Sequence, residues 1–269
     1  MGSAITNELF DSAEHSISSA KPMPVILLLD TSGSMHERMP TLNTAVKKVI
    51  ATLKKEENLG CEFLVSIITF GNEAKIHTSP TPASLIQWTD MKAYGCTPLG
   101  EAIKFAKELI EDREKTPSRA WRPTVFLVSD GMPTDQWQGP FNDFVENGRS
   151  RKCDRMAMAI GSGTHEEMLN MFIGGTTHSL KTEHDAEGID DAFKYLTMSV
   201  TMRMKSTEPN KTLTEAETKS AFDNRAPVDQ SRNENSGNTI IQFGEKSQAS
   251  EYNTGEPSDA EGFDHAGYW

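Results

Sequence analysis

The feature that most constrains this chain is PVILLLDTSGSM, Pro24 to Met35. Val25 to Leu29 is apolar without interruption, so it reads as a strand covered on both faces, as in the middle of a parallel sheet. Asp30, Thr31, Ser32 and Ser34 then emerge together at that strand's carboxyl end, which is where open α/β sheets bind ligands. The theme recurs in PTVFLVSDG, where Val125 to Val128 ends on Ser129 and Asp130, and again in DRMAMAIGSG.

Helical patterns separate these runs. Leu42, Val46, Val49, Ile50 and Leu53 share one face of a helix over Pro40 to Glu57. Leu99, Ile103, Ala106 and Ile110 do the same in TPLGEAIKFAKELIEDRE, with Thr97-Pro98 placed as a hydroxyl cap and a first-turn proline. CEFLVSIITFGNEAKIHT reads as a hairpin, with one strand ending near Phe70 and a shorter one over Ala74 to Thr78. A last helix runs from about Ala186 to Met202. Alternating strands and helices with one hairpin predict an α/β fold: a doubly wound, mostly parallel sheet with one antiparallel edge strand and helices on both faces.

Beyond Lys205 large apolar residues become scarce, and twelve acidic residues face five basic ones. Such a stretch buries too little surface to offset its chain entropy. The expected organisation is an N-terminal extension at 1–22, the α/β domain at 23–205 and a disordered acidic tail at 206–269, in which NTIIQF and FDHAGYW have enough apolar character to order on a partner. A net charge of −12 disfavours nucleic acid. Cys61, Cys96 and Cys153 form no CxxC pair, and no apolar run approaches the ~18 residues of a membrane span. No basic-then-apolar leader precedes residue 20, and Met1 to Thr6 matches a myristoylation pattern too loose to weigh. A reducing compartment is expected.

Asp30, Ser32 and Ser34 form D-x-S-x-S, Thr97 opens the helix after the hairpin, and Asp130 ends a later apolar strand. If strand order reverses between the two aspartate-bearing strands, all five oxygens converge on one crevice. Hard oxygen donors without histidine or thiolate suit Mg²⁺, with Mn²⁺ as the alternative. Three of the five donors are neutral hydroxyls, so a bound ion keeps positive character for an incoming carboxylate. Asp135 reads as a solvated loop carboxylate.

This spaced triple resembles the metal-ion-dependent adhesion site of von Willebrand factor type A domains over about Pro24 to Thr201. LLLDTSGSM and TPLGEAI are similar to the bacterial tellurium-resistance TerY-like group. The resemblance implies a cytoplasmic, non-enzymatic, magnesium-binding, protein-binding module in stress-response or phage-defence systems, its ion completed by an Asp or Glu of a partner. Met35, His36, Tyr94, Met132 and Trp137 fall on loops expected to surround the ion as a docking rim. A Mg²⁺ phosphohydrolase is the competing reading, weakened because Ser32 stands where a second catalytic aspartate is needed. A third is a scaffold whose acidic tail contacts the metal intramolecularly.

Overall fold

The computed structural model describes residues 21–57, 59–161, 166–174 and 178–223. Six strands form one sheet: β1 (Met23–Asp30), β2 (Phe63–Phe70), β3 (Ala74–Pro82), β4 (Thr124–Ser129), β5 (Asp154–Ile160) and β6 (Lys181–Glu183). Their order is β3-β2-β1-β4-β5-β6. Every pair is parallel except β2 with β3, the hairpin at the edge. The expected fold class is the observed one.

Strand alternation explains the two layers. Successive side chains of a strand point to opposite faces. Val25, Leu27 and Leu29 pack with α1 (Met39–Glu57) and α5 (Ala186–Lys205), whereas Ile26 and Leu28 pack with α2 (Leu99–Glu111), α3 (Gln138–Glu146) and α4 (Glu166–Ile173). All eight residues of β1 are buried. The unbroken apolar run thus has a cause: it must satisfy two cores at once.

The domain runs further than expected. After α5 the chain continues into α6 (Glu215–Asp223). The Asn210 side-chain carbonyl accepts from the Arg122 N–H at 2.8 Å, and the Pro209 carbonyl from Arg203 Nε at 3.1 Å. Glu215 pairs with Lys181 at 2.5 Å, and Thr218 is fully buried. Placing the boundary at 205 is therefore corrected: residues 206–223 pack on the domain through polar contacts that hydropathy does not reveal. NTIIQF, FDHAGYW and residues 1–20 lie outside the described residues.

β1 is the central connection, with β2 on one side and β4 on the other. Leu29 lies opposite Val128, so Asp30 and Asp130 leave adjacent parallel strands at nearly the same height. The reversal of strand order falls between them. Among the described residues, no helix is long and apolar enough to cross a membrane.

Candidate metal centre

Three loops meet above the carboxyl ends of β1 and β4. The first follows Asp30 and folds into a 3-10 turn, Gly33–Glu37. It is tied to its neighbours by main chain: the Thr31 N–H donates to the Phe70 carbonyl (2.8 Å), the Tyr94 N–H to the Thr31 carbonyl (2.8 Å) and the Gly33 N–H to the Gly95 carbonyl (3.0 Å). Gly95 has φ +79°, and a Cβ there would lie 2.5 Å from the Asn72 Cα. The close approach admits only glycine. The loop carrying Thr97 is in turn bonded to the loop after Asp130. Thr97 N–H donates to Thr134 Oγ1 (3.0 Å), and Thr134 N–H returns to the Thr97 carbonyl (2.9 Å).

On this frame four of the five expected ligands form a continuous hydrogen-bonded chain. Ser32 N–H donates to Asp30 Oδ1 (2.8 Å), Ser32 Oγ lies 3.0 Å from Ser34 Oγ, and Ser34 Oγ donates to Asp130 Oδ1 (2.8 Å). Thr97 is buried, its backbone tied to Thr134 in the loop after Asp130, while its own loop is held to the first through Tyr94 and Gly95. Among the described residues no three His, Cys, Asp or Glu side chains gather into a metal-holding group. Any cation held here therefore depends on the hydroxyls.

The electrostatics point the same way. Asp30 is fully buried. Burial pushes its carboxyl up to about 6, against the opposing pull of hydrogen bonds from Ser129 and Ser32, and the nearby Asp130 carboxylate raises it further. Burial also raises Asp130, with Ser34 and Arg38 opposing. Two carboxylates share a partly dry site in which their closest partners are neutral hydroxyls. That is a surplus of negative charge, which a divalent cation relieves. The donor set fits such an ion: cis oxygens around octahedral Mg²⁺ at ~2.0–2.1 Å stand about 2.9 Å apart, and the Ser32–Ser34–Asp130 oxygens are spaced at 3.0 and 2.8 Å.

The rim requires one correction. Met35 is completely buried, packed in the core with α1 and α5, because the 3-10 turn directs it beneath the loop. It cannot contact a docked partner. Trp137 is half-buried, edge-on to Phe141 with ring centroids 5.3 Å apart and packed against the α2–α4 core. His36, Tyr94 and Met132 are exposed, the last two at 70% and 54%. An open cleft of about 680 Å³ runs beside the site, lined by His36, Met39, Asn43, Lys47, Met91 and Lys92 among others.

Two expectations about the second loop also change. Thr97 does not cap α2 through its side chain. Asp135 does, its carboxylate accepting from the N–H groups of Gly100 and Glu101, both at 3.1 Å. Asp135 is thus a helix cap supplied from another loop, a role its sequence surroundings do not announce. Sequence reasoning also passed over Ser129 Oγ, which donates to Asp30 Oδ2 at 2.7 Å, and Arg38, whose Nη1 stands 3.9 Å from Asp130 Oδ2. SDG immediately after an apolar strand was a visible signal for the serine; nothing marked the arginine.

Residues 25–132 match the family model described as von Willebrand factor type A domain, a segment that contains Asp30, Ser32, Ser34, Thr97 and Asp130. The uncharacterized protein Rv2850c of Mycobacterium tuberculosis is 34% identical over 116 residues, covering 41% of this chain and 18% of that protein. Among solved structures, a von Willebrand factor type A protein from Catenulispora acidiphila superposes with a TM-score of 0.52 at 17% identity, covering 68% of this chain and 43% of that one. The pilus adhesin SpaC from Lactobacillus rhamnosus GG gives 0.55 at 14% identity, covering 69% and 31%. Proximal thread matrix protein 1 from the mussel byssus gives 0.52 at 16%, covering 65% and 46%. The chain spans less than a fifth of Rv2850c and under half of each of these structures. At such identities the structural likenesses establish the fold alone. The matched segment and the strand order together show that the chain has the von Willebrand factor type A fold.

Proposed function

We propose that this domain is a metal-dependent protein-binding module, in which Asp30, Ser32, Ser34, Thr97 and Asp130 hold one Mg²⁺ and a carboxylate from a partner protein completes its coordination. Domains of this class often mediate protein interactions through a metal site. The observation that carries the reading is the chain of Ser32, Ser34 and Asp130 oxygens beside a buried Asp30 that has no cationic hydrogen-bond partner among the described residues. When bound, the ion supplies a Lewis-acidic position that a carboxylate can enter. Mn²⁺ has the same preference for hard oxygen and is the natural substitute.

The chain's own residues divide the remaining work. Asp30, receiving hydrogen bonds from Ser32 and Ser129, fixes the floor of the site. Ser34 and Asp130 come from loops 96 residues apart, so they register the two halves against each other. His36, Tyr94 and Met132, exposed on the same loops, supply contact area whose side-chain identity selects the partner. A cytoplasmic role in bacterial stress response or phage defence belongs to the same reading. The chemistry is recognition, and the phosphohydrolase alternative gains no support from Ser32, which lies in the oxygen chain and is no acid/base.

The test is affinity capture from a lysate of the source organism with Mg²⁺, with EDTA, and with the Asp30→Ala chain. A partner retained only by the native chain with Mg²⁺, and lost when one of its own Asp or Glu residues is substituted, is the expected result. Equal retention in all three arms would rule the mechanism out.

A further inference from the structure

We propose that Arg38 sets the charge of this site, making it selective for anionic groups while weakening its hold on the metal itself. The inference rests on the metal-binding reading above and adds a residue outside the D-x-S-x-S, threonine and aspartate set. Arg38 sits between the 3-10 turn that carries Ser34 and the first turn of α1. Its backbone is fixed from both sides: its N–H donates to the Met35 carbonyl and its carbonyl accepts from the Leu42 N–H, each at 2.9 Å.

The side chain then crosses the carboxyl ends of the strands. Nη1 reaches to 3.9 Å from Asp130 Oδ2, the carboxylate oxygen that Ser34 leaves free, since Ser34 donates to Oδ1. Nη2 passes over Gly161, the residue after β5, where a Cβ would lie only 2.8 Å from that nitrogen. Gly161 has φ +86°, so any other residue there would be strained as well as crowding the guanidinium. The fold thus keeps a channel open for this arginine. About a third of the side chain is exposed, so it faces both the aspartate and whatever approaches from solvent.

Charge counting gives the consequence. Asp30 and Asp130 balance a divalent cation, and the hydroxyls of Ser32, Ser34 and Thr97 add nothing. The guanidinium, ionised at any working pH, leaves the loaded site with one net positive charge. An incoming carboxylate cancels that charge; a neutral ligand does not. The same positive charge repels the metal. Arg38 thus trades metal affinity for anion affinity, which separates it from a residue that merely supports the loop.

The test uses the full chain with Mn²⁺ as the probe metal and acetate as the probe anion. Calorimetry at pH 7.5 gives the Mn²⁺ affinity of the native chain, Arg38→Gln and Arg38→Lys. Water-proton relaxation of the Mn²⁺-loaded proteins during acetate titration gives the anion affinity. Arg38→Gln is expected to bind Mn²⁺ about three- to tenfold more tightly and acetate about three- to tenfold more weakly, the size of one partly screened charge at a few ångströms. Arg38→Lys should stay near the native values on both readouts. Mn²⁺ affinity that falls or stays level in Arg38→Gln, or unchanged acetate affinity, would overturn the proposal. A native chain that takes up no Mn²⁺ would instead refute the metal reading beneath it.

Discussion

Two buried aspartates at opposite ends of the same sheet show what separates a structural charge from one left for a ligand. Asp154 opens β5 at the amino end. His178 Nε2 donates to its Oδ1 and Arg203 Nη1 to its Oδ2, both at 3.0 Å. Burial would raise its carboxyl, yet the His178 hydrogen bond and the Arg203 guanidinium outweigh it and hold Asp154 below the usual carboxylate range. Arg203, itself fully buried, spends its remaining donors on Thr124 Oγ1, the Arg122 carbonyl and the Pro209 carbonyl. Asp30, at the carboxyl end, is just as buried, but its hydrogen-bond partners are hydroxyls and an N–H. Its carboxyl moves up to about 6. One aspartate is closed by an internal cation and clamps α5 to the sheet; the other retains the negative charge that an external cation would meet.

The largest effect that sharpens this contrast should come at the amino end. Arg203→Leu leaves Asp154 charged and buried without its guanidinium partner, a loss of about 3–5 kcal/mol in urea unfolding. Adding Asp154→Asn should recover part of it. A loss near zero would mean that the clamp does not bear on stability.

Asp30→Asn should act with the opposite sign. The folded-state value of Asp30 lies above its ordinary 3.8, so the native state holds a proton that the unfolded chain releases between pH about 4 and about 6. Metal-free stability therefore falls as pH rises through that window. By pH 7.5 the cost is up to about 3 kcal/mol, two units at 1.36 kcal/mol each. Metal-free Asp30→Asn should be the more stable protein at pH 7.5 and lose its advantage near pH 4, as read by thermal melts. A native chain that melts higher at pH 7.5 than at pH 5 without metal, with Asp30→Asn less stable, would break the comparison.

Smaller effects should come from the frame around the carboxyl end. Gly95→Ala forces a side chain into a left-handed backbone and against Asn72, about 2 kcal/mol of strain, and should weaken Mn²⁺ binding by displacing the Thr97 loop. Asp135→Ala removes the acceptor for two N–H groups at the start of α2 and should cost about 1 kcal/mol, with Mn²⁺ affinity changing less than in Gly95→Ala. Chemical denaturation and calorimetry on both variants check the order.

How far these ends could be read from sequence follows from what holds them. β1, β4 and β5 are legible because burial on both faces demands unbroken apolar runs, and the D-x-S-x-S spacing is local. The amino-end clamp is not legible: Asp154, His178 and Arg203 lie tens of residues apart and each looks like an ordinary surface charge. β6, KTE, has no apolar pattern at all. α6 was lost in the polar tail, although Thr214 and Glu217 form a reciprocal cap, the Thr214 N–H donating to Glu217 Oε2 (2.7 Å) and the Glu217 N–H to Thr214 Oγ1 (3.1 Å). That T-x-x-E signature was available. Met35 was misread because it sits on a loop, whereas a 3-10 turn spreads successive side chains around its axis, three to a turn, and one of them faces the core.

The most direct measurement is Mn²⁺ calorimetry on the full native chain beside Asp30→Asn, Ser34→Ala and Arg203→Leu, the last under conditions where it remains folded. The account predicts one ion per native chain, affinity reduced at least about thirtyfold by either carboxyl-end substitution and near-native affinity in Arg203→Leu. Equal Mn²⁺ uptake by the native chain, Asp30→Asn and Ser34→Ala would contradict it.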